Sequence, residues 1–203
     1  MTRLFLVRHA ESEWNAQRRW QGRGDPPLSA HGREQAIVAA ETLSGEVDVA
    51  VASPQRRAIE TAEIISRALS LGEVETDEGL REIDVGEWTG LTMDDVEAHW
   101  GAELRAWRAG ELDAPPGGED RHAFLDRLLS ALKRVRESHD DKRVLVLTHG
   151  GAIGRVERHL DCHPGHGSGN LTGRWFELED ELHVASDRIK LLPEPEVPAP
   201  ETR

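Results

Sequence analysis

Apolar residues along the chain alternate between short continuous runs and helical stripes. Residues 4–7, 47–52 and 144–147 are leucine-rich or β-branched runs, the pattern of strands buried on both faces of a parallel sheet. Between them, Ala36, Ile37, Ala40 and Leu43 share a helical face over residues 29–43, with Ser29 as N-cap. Ala58, Ala62, Ile65 and Leu69 form a second stripe. The strongest stripe, Phe124, Leu125, Leu128, Leu129, Leu132 and Val135, predicts a helix over about 119–137. A further helix is expected from Gly150 or Gly151 to a point before Pro164, and residues 175–178 and 182–185 read as a hairpin. The alternation predicts an α/β fold of three layers, α/β/α, with a mostly parallel central sheet and an antiparallel edge hairpin.

Two segments interrupt this alternation. Residues 91–116 hold Trp100, Trp107 and two weak helical stretches, and are expected to form a lid-like insertion near the strand ends where α/β ligands bind. Residues 193–203, with Pro193, Pro195, Pro198 and Pro200 among acidic residues, are expected to be a disordered tail behind a single catalytic domain over 1–192. A length of 203 residues suits that organisation. No apolar run approaches the roughly 18 residues of a membrane span, and Arg8 and His9 cut the first run too short for a signal peptide. A lone Cys162 excludes an internal disulfide and fits a cytoplasmic location. The net charge of −13 argues against a nucleic-acid or anionic-membrane surface, so any positive charge that binds an anion must be local.

The chemistry-bearing residues sit where the strands end. The first run leads directly into Arg8 and His9, and the last into Thr148, His149, Gly150 and Gly151, whose small residues open a helix with free backbone amides. The second ends in Ser53-Pro54-Gln55-Arg56-Arg57. Arginine and histidine converging from three strand ends suit a doubly charged oxyanion, which suggests phosphate.

The string from Val7 to Asn15 (VRHAESEWN), the stretch from Gln21 to Ala36, and Ser53-Pro54-Gln55-Arg56-Arg57-Ala58 resemble motifs of the histidine phosphatase, or phosphoglycerate-mutase-like, superfamily. So do Leu80-Arg81-Glu82, Pro116-Gly117-Gly118-Glu119 and Thr148-His149-Gly150-Gly151, in the family's order. The resemblance implies a phosphoglycerate-mutase-like fold and a metal-independent phosphatase of small phosphorylated metabolites, with no cofactor and as a monomer or homodimer. It implies that His9 is the nucleophile, forming a phosphohistidine, and that Arg8, Arg57 and His149 surround the phosphate. Glu82 is implied as the general acid, with Glu87 and Asp84 as nearby competitors. Asn15, Gln21, Gly22 and Gly150 are implied as further phosphate or substrate contacts, and Arg57 is favoured over Arg56 because it precedes the alanine. Gly117-Gly118-Glu119 is read as either a turn with a helix cap or a substrate contact.

Two departures from the family pattern are Ala10, for the commoner glycine, and Gln55, for a usual apolar residue; neither is expected to matter. A phosphoglycerate mutase is the runner-up. Gln21-Gly22 stands where mutases tend to carry Thr-Gly, and the segment between Trp88 and Pro116 lacks their longer insertion. A phosphatase for α-ribazole phosphate or a sugar phosphoglycerate is equally compatible with the motifs, and a non-catalytic phosphate-binding module is the non-enzymatic alternative. His159, Cys162, His163 and His166 offer a rival metal-binding cluster, since His159 and His163 lie at i, i+4. Trp20, Trp100 and Trp107 are the tryptophans expected to line a pocket.

Overall fold

The computed structural model describes residues 1–193. Its strands and helices run β1 (Thr2–Arg8), α1 (Glu13–Ala16), α2 (Ala30–Thr42), β2 (Val49–Ala52), α3 (Arg56–Leu69), β3 (Glu75–Thr76), α4 (Met93–Ala109) and α5 (Arg121–Ser138). They continue with β4 (Arg143–Thr148), α6 (Gly150–His159), β5 (Thr172–Leu178), β6 (Leu182–Val184) and β7 (Ile189–Lys190). The expected tail, beyond its first residue, lies outside the described residues.

The sheet order is β3-β2-β4-β1-β5-β6, with β7 pairing β5. Strands β1 to β4 are parallel, while β5 runs antiparallel to β1 and to β6. This is the expected mostly parallel sheet with an antiparallel edge, and the apolar runs explain it. Within β1, Leu4 and Leu6 enter one core together with Val144, Val146 and Phe176, while Phe5 and Val7 enter the other with Leu145, Leu147 and Trp175. Side chains alternate across a strand, so a run apolar at every position must be covered on both faces. Helices α4, α5 and α6 cover the first face, and α2 and α3 cover the second.

Ser29 caps α2 by accepting from the Gly32 amide at 2.9 Å, as expected. The buried face of α2 differs from the expected one: Gly32, Ala36, Ala39 and Ala40 are buried, whereas Ile37 is 55% exposed. A Cβ on Gly32 would collide with the Glu11 carbonyl, so small residues, not the largest apolar one, mark where this helix approaches its neighbours. Helix α5 begins at Arg121, capped by Asp120, two residues later than Glu119. The two weak stretches within 91–116 are the two halves of α4, which meet at a kink where Trp100 has non-helical dihedrals. Val96 and Leu104 of α4 are fully buried in the core.

Candidate active site

The order β2-β4-β1 sets three parallel strands side by side, so Ser53, His149 and His9 leave the sheet at the same edge. His9 follows β1 and is buried at 2% exposure. Its Nδ1 is 2.7 Å from the Ala10 carbonyl oxygen. A carbonyl only accepts, so the proton sits on Nδ1 and Nε2 keeps its lone pair. Arg57 Nε donates to that Nε2 at 3.1 Å. The loop itself is pinned by the Ala10 amide donating to Thr61 Oγ1 (3.1 Å) and by Asn170 donating to the His9 carbonyl (2.8 Å). Burial, then the Arg57 and Arg8 charges, hold the His9 pKa well below the usual histidine value. Ala10 needs no left-handed backbone, so its replacement of glycine carries no strain.

Arg57, in the first turn of α3, is fully buried and donates to the carbonyls of Gly24 (2.7 Å) and Gly22 (3.1 Å). Burial pushes its pKa down to about 10. The neighbouring Arg56 is exposed and pairs with Glu60 at 3.4 Å, so the structure brings Arg57, not Arg56, to His9. Arg8 reaches the same space and donates to the Ser168 carbonyl. The His149 ring stands edge-on to His9 with centroids 5.3 Å apart, and its Nε2 lies 2.8 Å from Ser53 Oγ. His149 Nδ1 and Arg8 Nε are buried polar atoms without a protein partner. Buried polar groups are ordinarily paired, so these atoms suit an anion placed beside His9.

Glu82 lines the same cleft as Arg8 and Arg57. One carboxylate oxygen accepts from the Ile83 amide and the other from the Gly151 amide at the start of α6, both at 2.9 Å. Asp84 turns to the Gly86 amide at 2.9 Å, and neither Asp84 nor Glu87 lines the cleft. Arg127, clamped on Glu119 at 2.6 Å, donates to the carbonyls of Gly79, Arg81 and Glu82 and so fixes the segment that carries Glu82. Gly117-Gly118-Glu119 is thus a turn, closed by Gly118 donating to the Pro115 carbonyl at 2.9 Å, whose glutamate positions Arg127.

The cleft, about 570 Å³, is also lined by Asn15, Gln21, Gly22 and Gly150. Ser12 Oγ lies 2.8 Å from Gln21 Oε1 and 3.1 Å from Asn15 Oδ1, so its single proton is shared between the two amide oxygens. Gly22 has φ of +45°, and a Cβ there would collide with Val85. Trp20 and Trp107 line the cleft and pack edge to face against the buried Trp88. Trp100 instead packs against the core and does not line the cleft, correcting the expectation for that residue. Among the described residues, no three of His, Cys, Asp and Glu are grouped to hold a metal ion, and His163 of the expected cluster lines the cleft.

The sequence model of the histidine phosphatase superfamily (branch 1) matches residues 4–170. The chain belongs to that superfamily. It is 38% identical over 154 residues to phosphoglycerate mutase-like protein 4 of Arabidopsis thaliana, covering 74% of this chain and 67% of that one. It is 38% identical over 155 residues to phosphoserine phosphatase 1 of Hydrogenobacter thermophilus, covering 73% of this chain and 71% of that one. Among solved structures it resembles a mycobacterial glucosyl-3-phosphoglycerate phosphatase complexed with VO3, at a TM-score of 0.77 and 31% identity over 86% of this chain and 90% of that one. With phosphatases among its relatives, this histidine phosphatase is a phosphoric monoester hydrolase by type.

Several residues of this histidine phosphatase site escaped the sequence reading. Gln55 is fully buried; its Nε2 donates to the carbonyls of Gly22 (2.9 Å) and Gly24 (3.2 Å), and its Oε1 accepts from the Glu82 amide (2.8 Å). It therefore ties the Gly22 loop to the Glu82 segment, which corrects the expectation that its departure from the apolar pattern does not matter. Thr61 accepts from the Ala10 amide and donates to the Arg57 carbonyl, Asn170 donates to the His9 carbonyl, and the Ser168 carbonyl accepts from Arg8; no pattern of residue types marks Asn170 or Ser168 in the sequence. Arg18, Arg19 and Arg158 add charge at the rim.

Proposed function

We propose that the protein hydrolyses small phosphomonoesters through a phosphohistidine on His9, without a metal ion. The observation that carries this is the tautomer imposed on His9: with Nδ1–H committed to the Ala10 carbonyl, the Nε2 lone pair faces the cleft between Arg8, Arg57 and His149. Nε2 attacks phosphorus, the bond to the ester oxygen breaks, and that oxygen takes a proton from the carboxyl group of Glu82. Water then attacks the phosphohistidine, gives its proton to the Glu82 carboxylate, and inorganic phosphate leaves. The charge that a metaphosphate-like transition state spreads over its equatorial oxygens is met by the Arg8 and Arg57 guanidiniums and by His149, which is the work a metal ion performs in other phosphatases. The partner is a small phosphorylated metabolite, and a chain with one cysteine and no helix among its described residues that could cross a membrane suits the cytoplasm.

The test is phosphate release from p-nitrophenyl phosphate and a panel of natural phosphomonoesters with EDTA present, followed alongside conversion of 3-phosphoglycerate to 2-phosphoglycerate. Release without isomerisation is expected. Isomerisation in place of release would make the protein a mutase, and silence in both would leave a phosphate-binding module.

A further inference from the structure

Beside the cleft lies a second pocket of about 200 Å³. It opens off the first through Ile83, Trp107, Gly151 and Arg158, which line both. Two of these, Ile83 and Gly151, are the residues whose amides hold the Glu82 carboxylate. The pocket therefore adjoins Glu82, the group proposed above to protonate the departing oxygen.

The walls of this pocket are of two kinds. Trp107 and Phe124 are aromatic, while Arg108, Arg121, Arg155 and Arg158 are cationic. Arg121 is committed: it pairs with Asp113 at 3.4 Å and donates to the carbonyls of Trp107 and Leu112. Among the described residues, Arg108 donates only to the Met93 sulfur, at 3.3 Å. Arg155 makes no hydrogen bond or ion pair among the described residues, and its Nε is buried without a partner. Arg158, one turn along α6 from Gly154, donates among the described residues only to the Gly154 carbonyl, at 3.1 Å. The carboxylates whose charge reaches Arg155, those of Asp113, Asp120 and Asp126, are outweighed by its burial and by the Arg121 charge, and its pKa lies below the usual arginine value. In a chain of net charge −13, the guanidiniums of Arg108, Arg155 and Arg158, gathered beside the cleft without a carboxylate ion pair among the described residues, are an arrangement that an anion would relieve.

We infer that this side pocket is a subsite for a second anionic group on the leaving portion of the substrate, bound by Arg155 and Arg158, with Trp107 and Phe124 against the carbon skeleton between it and the phosphate. The preferred substrates are thus phosphomonoesters whose alcohol carries its own carboxylate or phosphate. This rests on phosphate occupying the His9 cleft, as proposed above.

The test is calorimetric binding to the full chain carrying His9→Ala, which does not consume the ligands; His9→Asn replaces it should alanine impair folding. The probes are ω-carboxyalkyl phosphates of increasing length and the carboxamides of the same lengths. At the length that spans the two pockets, the carboxylate is expected to bind about tenfold tighter than its amide, a typical margin for charge-assisted pairing with arginine. Arg155→Met with Arg158→Met should collapse that ratio to near unity, and Arg155→Lys with Arg158→Lys should restore part of it. A carboxylate preference that survives the methionine pair, or no preference at any length, would overturn the subsite. Turnover of p-nitrophenyl phosphate by the unsubstituted chain tests the phosphatase assignment separately, so the two can fail independently.

Discussion

Arg57 Nε lies 3.1 Å from His9 Nε2, so the guanidinium that is to grip phosphate occupies, in the resting site, the lone pair that is to attack phosphorus. The contact adds to burial in keeping His9 unprotonated, and the arriving phosphate must take the guanidinium over before the nitrogen is free. Arg57 is meanwhile anchored by the carbonyls of Gly24 and Gly22, at 2.7 and 3.1 Å.

Lysine at position 57 keeps the charge but cannot make the Gly22, Gly24 and His9 contacts together. We expect Arg57→Lys to lower kcat/KM for p-nitrophenyl phosphate by about a hundredfold to a thousandfold, the usual cost of one preorganised donor to a developing anion. Arg56→Lys, at an exposed position paired with Glu60, should change it little. Equal losses in the two variants would remove Arg57 from the phosphate pocket.

The strand-end residues were legible in the sequence for a physical reason. An apolar run buried on both faces must be an inner strand, and the residue that ends it must emerge at the sheet edge, which places Arg8, His9 and His149 without any contact map. Gln55 was not legible, because its role exists only once residues 22–24 and 82 are folded against it. Ile37 stands one position round from the buried Gly32, Ala36, Ala39 and Ala40 face, so its apolar character placed it on a stripe whose close approach is made through glycine and alanine. The kink at Trp100 divides α4 into two stretches, and each half alone carries too few apolar positions to show a helical stripe.

His9 and His149 are both buried with pKa values held well below that of free histidine. The unfolded chain binds their protons near pH 6.5 and the folded chain only at a much lower pH, so protonation favours unfolding. Their contribution to stability is therefore complete above about pH 6.5 and declines as the pH falls from there toward the folded-state values, by up to about 1.4 kcal/mol per pH unit for each ring. Melting temperature should fall steadily from pH 7 to pH 5. His149→Asn should flatten that slope by about half, and an unchanged slope would show that these rings do not govern it.

Gln55→Leu replaces three hydrogen bonds with a shorter apolar group and leaves the part-buried Glu82 amide without its partner. The cost is about 1–3 kcal/mol per unsatisfied group, seen as a drop of about 2–4 °C in Tm per kcal/mol for a domain of this size. Because the Gly22 loop and Glu82 are held by the same side chain, kcat should fall more for alkyl phosphates than for p-nitrophenyl phosphate. A stability loss with uniform kinetics would confine Gln55 to a structural role.

The same difference between substrates isolates the proton donor. An alkoxide needs protonation to leave, while p-nitrophenolate does not, so Glu82→Gln should reduce alkyl phosphate turnover about a hundredfold or more and that of p-nitrophenyl phosphate far less. Gly151→Ala tests the placement of Glu82 while leaving its chemistry in place. A Cβ on Gly151 would intrude on the Glu82 carboxylate oxygens, and Glu82 would have to swing away from the amide that holds it. The alanine variant should therefore show the leaving-group dependence of Glu82→Gln with the carboxylate intact. If it instead slows both substrates equally, the Gly151 amide serves the phosphate and not the acid.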